Sequence, residues 1–214
     1  TTVNAKIGAD YLARAADYKN QREIDPFTFP CLFARRAKVL KDAGTLTDED
    51  ITSVVVKAYA NANKNPRAHM RAFKMSESHA STASPKNPMF LVNEEYKDHM
   101  KVSDCSQVSD GGAAIILCSE SALKRLGKNP ADHVELLGYG HATGPIAGPD
   151  DFTRLDTTEL AAQRAYESAG LKAEDMGVAE VHDCFAVTEI LMTEALGFAE
   201  RGKGGELARS GATQ

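Results

Sequence analysis

Apolar positions follow two different rhythms on either side of residue 105. Up to about residue 75 they recur every three or four residues, the spacing that lays one stripe along a helix. Val3, Ile7, Tyr11, Ala15 and Tyr18 follow it first. A second helix is expected over 31–43, with Gly44 just past its end. The third is the clearest. Thr47 precedes Asp50 by three residues, a capping box with Asp in the place of Glu. Ile51, Val54, Val55, Ala58, Tyr59 and Ala62 then share one face until Asn65-Pro66 ends the run. Residues 76–100 keep no strong period and predict an irregular excursion with one short helix around 92–96.

Past residue 105 short apolar runs alternate with helical stripes. A buried-type strand is predicted over 112–118, entered through Ser109-Asp110-Gly111-Gly112. Ser119 can cap a helix that runs to Leu126 and stops at Gly127. Further strands are expected over 133–139 and 178–184, around a Gly-rich loop at 138–149 and a helix over 158–169 closed by Gly170. An amphipathic helix over 186–198 follows the last strand. This alternation predicts a layered α/β domain over 105–214, after a mainly helical part over 1–104. No internal repeat or low-complexity tract interrupts it.

Composition narrows the class. Hydrophobic residues make up 43% and charged residues 26%, the balance of a globular protein with a core. The net charge of −5 argues against nucleic acid as the main partner, though a local basic patch could still hold phosphates. No apolar run approaches the roughly 20 residues a membrane-spanning helix needs. Cys31, Cys105, Cys118 and Cys184 are widely spaced, which suits free thiols in a reducing intracellular compartment better than disulfides or a structural zinc site. Cytoplasm, mitochondrion and a peroxisome-like organelle all fit. The start, Thr-Thr-Val-Asn-Ala-Lys, reads like the middle of a longer protein.

Candidate chemistry centres on His182-Asp183-Cys184-Phe185. On a strand, His182 and Cys184 share one face and Asp183 takes the other. A helix starting just after Cys184 would offer free N–H groups and a dipole that favour a thiolate. The alternative is a buried Cys and a hydrogen-bonded His at a strand end. Adjacent His, Asp and Cys cannot all face one ion, so no metal is expected. Asp110-Gly111-Gly112-Ala113-Ala114 is a turn of very small residues, either packing closely or admitting a ligand, with Ser106 at its rim. Gly140-His141 could be a catalytic loop or a solvated one. Lys64, Arg67, Arg71 and Lys74, with His69, form either a solvated basic face or a phosphate-binding patch.

Taken together, several of these segments resemble the thiolases, and the sterol-carrier-type 3-oxoacyl-CoA thiolases in particular. Most thiolases carry Asn-Glu-Ala-Phe where this chain has His182-Asp183-Cys184-Phe185, and His-Asp-Cys-Phe marks the sterol-carrier branch. The stretches 161–180, 105–114 and 65–70 are similar to the family as well, so the likeness is ordered and covers most of 27–205.

The resemblance implies a thiolase-like layered αβαβα fold, partial here, with 1–104 in the helical loop domain and 105–214 spanning the end of the first half and the start of the second. It implies thiolytic cleavage of 3-oxoacyl-CoA or the reverse Claisen condensation, in the setting of lipid metabolism and fatty acid β-oxidation. CoA and acyl-CoA thioesters would be its partners, CoA a substrate, with no other cofactor. By the same likeness His182 helps form the oxyanion hole and Cys184 is an acid/base group. Ser106 bonds the pantetheine arm, and Arg67, Arg71 and Lys74 lie near the CoA phosphates. A homodimer or homotetramer is implied too. The family's nucleophilic Cys, Gly-His-Pro loop and Cys-x-Gly loop have no counterpart among these 214 residues. The resemblance thus fits part of a catalytic parent, or an inactive CoA-binding or assembly protein.

Overall fold

The computed structural model describes residues 4–214; Val3, the first position of the N-terminal stripe, lies outside the described residues. That stripe forms two helices rather than one: α1 (Ala5–Ala13) and α2 (Tyr18–Gln21). The break falls where the Asp17 side chain accepts from the Asn20 N–H and caps a new start. Helix α3 (Thr28–Asp42) begins three residues earlier than predicted, because Pro30 in the first turn loses no helical hydrogen bond. It buries Cys31, Ala34, Ala37 and Leu40 and ends before Gly44, whose φ of 72° suits the left-handed exit. In α4 (Asp48–Lys64) the predicted capping box is formed: the Asp50 N–H donates to Thr47 Oγ1 and the Thr47 N–H to the Asp50 carboxylate.

The predicted short helix around 92–96 is instead a turn leading into a 3-10 turn at Lys97–His99. A helix not predicted, α5 (Glu77–Ser81), forms earlier in the same excursion, capped by Ser76. Helices α6 (Glu120–Arg125) and α7 (Asp156–Ala169) lie where expected, α6 capped by Ser119 and α7 closed by Gly170. The chain ends with α8 (Ala186–Ala195) and α9 (Gly204–Ser210).

One core joins the helical part to the last helices. Ile51, Val54 and Val55 of α4 and the buried face of α3 meet Val187, Ile190 and Leu191 of α8, with Met100 and Phe185 between. The Phe185 ring stacks on Phe33, centroids 4.5 Å apart. Each such side chain contributes about 1.5–3 kcal/mol on leaving water. Burying eight of its ten residues fixes where α8 begins, and so where Cys184 sits.

The three predicted strands are a correction. Residues 112–118, 133–139 and 178–184 belong to no strand ladder; among the described residues only isolated bridges occur. Their apolar side chains stand in the open, Ile116 at 89%, Val134 at 102% and Val178 at 85% exposure. Alternation and β-branched side chains favour extended backbone, but a ladder needs a neighbour for each N–H and C=O. No described segment supplies one. Residues 138–140 lie instead against α7, where a Cβ on Gly140 would fall 1.9 Å from the Ala161 carbonyl oxygen. That close approach explains Gly138 and Gly140.

Candidate active site

Two short backbone segments form the site. Cys105 and Phe185 make an antiparallel bridge, and the Ser106 N–H donates to the Cys184 carbonyl at 2.9 Å. Phe185, held in the core, anchors one segment. A buried polar network anchors the other. Asn87, 1% exposed, donates to Ser103 Oγ at 2.9 Å and to the His79 carbonyl at 2.8 Å, and accepts from the Ser103 N–H at 2.9 Å. Ser103 Oγ lies 3.3 Å from Asp104, whose other oxygen pairs with Lys101 Nζ at 3.1 Å and accepts from the Lys101 N–H. Burial raises the Asp104 carboxyl above its ordinary value, and Lys101 opposes that rise.

Cys184 is half-buried at the threshold of α8. Burial pushes its thiol up, against the smaller pull of the Thr188 hydroxyl and the Phe185 N–H. The thiolate expected from the helix start is therefore outweighed, and the thiol rests protonated. His182 is exposed, with no hydrogen-bond partner among the described residues. Asp183 lines a cleft of about 180 Å³ together with Tyr59 and Ala62 of α4, Met70, Asp104 and Ser106. The strand pattern had set Asp183 apart from the chemistry, yet it is one of the cleft walls.

Arg67, Arg71 and Lys74 are exposed on the segment that carries Met70 to the cleft. Asn63 pins this segment by donating to the Arg71 and Phe73 carbonyls at 2.8 Å each. His141 lies apart, its carbonyl accepting from Arg164. Cys31 is buried, its thiol pushed up to about 12 mainly by burial. Burial raises Cys105 further. Cys118 ends an exposed run rather than a buried strand.

Sequence reasoning missed Asn87, Lys101, Asp104, Thr188 and Glu189. Glu189 is 4% exposed in the first turn of α8 and pairs with Lys57 of α4, which also reaches Thr213 Oγ1 at 3.3 Å. The available signal was a Thr-Glu pair inside the apolar run of 186–191. Among the described residues no three His, Cys, Asp or Glu side chains gather as a metal-binding group, and no helix is long and apolar enough to cross a membrane.

Comparison with known proteins agrees with this architecture. Residues 138–214 match the family described as thiolase C-terminal domain-like. An acetyl-CoA acetyltransferase of Methanothermobacter thermautotrophicus is 36% identical over 190 residues, 87% of this chain and 46% of that protein. Sterol carrier protein 2 of Oryctolagus cuniculus is 32% identical over 74% of this chain and 32% of its own length. In three dimensions the chain is similar to a chain of the Ltp2-ChsH2(DUF35) aldolase, with a TM-score of 0.72 at 23% identity, covering 94% of this chain and 50% of that one. The chain belongs to the thiolase family and has a thiolase-like fold. Within that family it is of the sterol-carrier-protein-2 type, and it spans about half the length, or less, of these curated relatives.

Proposed function

We propose that the whole protein is a CoA-dependent acyltransferase that cleaves 3-oxoacyl-CoA with free CoA, or runs the reverse Claisen condensation. The observation that carries this reading is the seam between the two segments: the Ser106 N–H holds the Cys184 carbonyl beside a cleft lined by Asp183 and Ser106, and burial keeps the Cys184 thiol protonated. In cleavage a nucleophilic Cys outside these 214 residues attacks the 3-oxo carbon. The bond between that carbon and Cα breaks, and the Cys184 thiol protonates the departing Cα. Cys184 then takes the proton of incoming CoA, whose sulfur attacks the acyl-enzyme. His182 donates to the enolate oxygen, Ser106 bonds the pantetheine arm, and Arg67, Arg71 and Lys74 meet the CoA phosphates.

The exposed apolar runs 112–118, 133–139 and 178–184 support the finer fold reading. In the whole protein they are strands of a layered αβαβα architecture, with 1–104 as loop domain and 105–214 bridging its two halves. We propose a homodimer or homotetramer working in a reducing compartment, on β-oxidation-type substrates.

A second reading is a non-catalytic CoA-binding or assembly protein. Its support is that burial disfavours the thiolate at Cys31, Cys105 and Cys184 alike. Steady-state thiolysis separates the two: the whole protein is given 3-oxoacyl-CoA of increasing chain length with free CoA. CoA-dependent cleavage refutes the binding module. Salt-sensitive CoA binding without cleavage refutes the acyltransferase.

A further inference from the structure

We infer that Thr188 is a positioning residue for Cys184, its hydroxyl holding the sulfur across one helical turn and donating to it when the proton leaves. A buried helical Thr ordinarily returns its hydroxyl to a carbonyl three or four residues back. Thr52 Oγ1 does so here, donating to the Asp48 carbonyl at 2.7 Å, and so does Thr193 Oγ1, to the Ile190 carbonyl at 2.8 Å. The Thr188 hydroxyl makes neither bond. The Cys184 carbonyl accepts from the Ser106 N–H at 2.9 Å, and the Phe185 carbonyl from the Thr188 N–H at 2.8 Å. The hydroxyl, on a residue 3% exposed, meets Cys184 Sγ at 3.7 Å instead.

The contact changes character with protonation. Beside a neutral thiol either atom can donate; beside a thiolate only the O–H can. Thr188 therefore favours the deprotonated state against the burial that disfavours it. The Phe185 N–H works in the same direction and the Asp183 carboxylate against it. Cys105 faces Cys184 from the opposing segment, and the Lys57–Glu189 pair lies one residue beyond Thr188. Such tuning matters to a group that both gives and takes a proton. Its use in turnover rests on the acyltransferase reading; the contact itself does not.

The test is the pH dependence of iodoacetamide alkylation at Cys184 in the whole protein, followed peptide by peptide, with N-acetylcysteine in the same solution as reference. Thr188→Val keeps the branched shape and removes the donor. Its Cys184 midpoint should rise by about one pH unit, with alkylation below the midpoint about tenfold slower. Thr188→Ser should keep the parental profile. An unchanged midpoint in the Val variant, or an equal rise in both variants, overturns the inference. If the Val variant does not fold, the S–H stretching band of the unaltered protein, identified by its loss in Cys184→Ala, decides. A band displaced from the free-thiol frequency supports the contact, and one at that frequency overturns it. A raised midpoint with unaltered thiolysis supports the contact and counts against the proton-transfer role of Cys184.

Discussion

Substituting Lys57→Met removes the partner of a carboxylate that the fold keeps almost wholly from water. The Glu189 side chain is 5% exposed and that of Lys57 12%, so solvent screens the pair little. Breaking a buried pair by deleting one member costs about 3–5 kcal/mol, and the residual exposure of Lys57 puts the loss near the lower figure, about 3 kcal/mol. The loss depends on pH with a definite sign. Burial raises the Glu189 carboxyl above its unfolded value, and Lys57 opposes that rise. A raised acid binds its proton more tightly in the folded state, so its contribution is present at low pH and lost as pH climbs through the folded value. Removing Lys57 raises Glu189 further. The deficit of the variant should therefore be smallest at the acid end of the folded range, where Glu189 is protonated in both proteins, and grow to about 3 kcal/mol at its alkaline end. Urea unfolding of the whole protein followed by circular dichroism measures it. The double variant Lys57→Met/Glu189→Leu should recover to within about 1 kcal/mol of the parent, since an apolar pair of similar volume needs no charge compensation. A deficit that stays constant across that range, or a double variant less stable than Lys57→Met alone, refutes this reasoning.

Asn87→Ala should cost about 2–3 kcal/mol, because it leaves the buried Ser103 N–H and His79 carbonyl without their partner. Hydrogen exchange at the Ser106 amide should speed up with it, and an unchanged rate would uncouple the network from the site. Gly140→Ala should drive residues 138–140 off α7, read as new protease cleavage there, because its Cβ would overlap the Ala161 carbonyl. Asp151 is held at about 2 by the Thr153 hydroxyl and N–H, with Arg201 adding to them. Its stabilising contribution persists above the ordinary carboxylate value of 3.8 and fades as pH falls through about 2. Thr153→Val should move the Asp151 midpoint, followed by carbon-detected NMR titration, up towards 3.8; an unmoved midpoint would contradict the hydroxyl's role.

The helices were legible where the sequence carries its own boundary chemistry. The Thr47/Asp50 box, the Ser119 cap and the glycines at 44 and 170 each satisfy or release backbone groups within a few residues. Residues 112–118, 133–139 and 178–184 were legible only as apolar runs, because pairing is decided by distant segments and not by local pattern. At the site, adjacency to a predicted helix start placed Cys184 correctly at the threshold of α8. Its ionisation was not legible: the dipole argument knew nothing of the core that surrounds Phe185 and desolvates the thiol. Asn87 was hidden in the stretch 76–100, which keeps no period, and Lys101 and Asp104 lie just past it, where polar residues read as surface. Only the folded chain shows them buried and joined to one another.

The central claim is that Cys184 moves the proton in an acyl transfer from CoA thioesters. Its most direct test is Cys184→Ala in the whole protein, with thiolysis of a short 3-oxoacyl-CoA and CoA binding by calorimetry measured on the same sample. The account predicts a fall in kcat of about 10²–10⁴-fold with CoA affinity little changed. An unchanged kcat would contradict it.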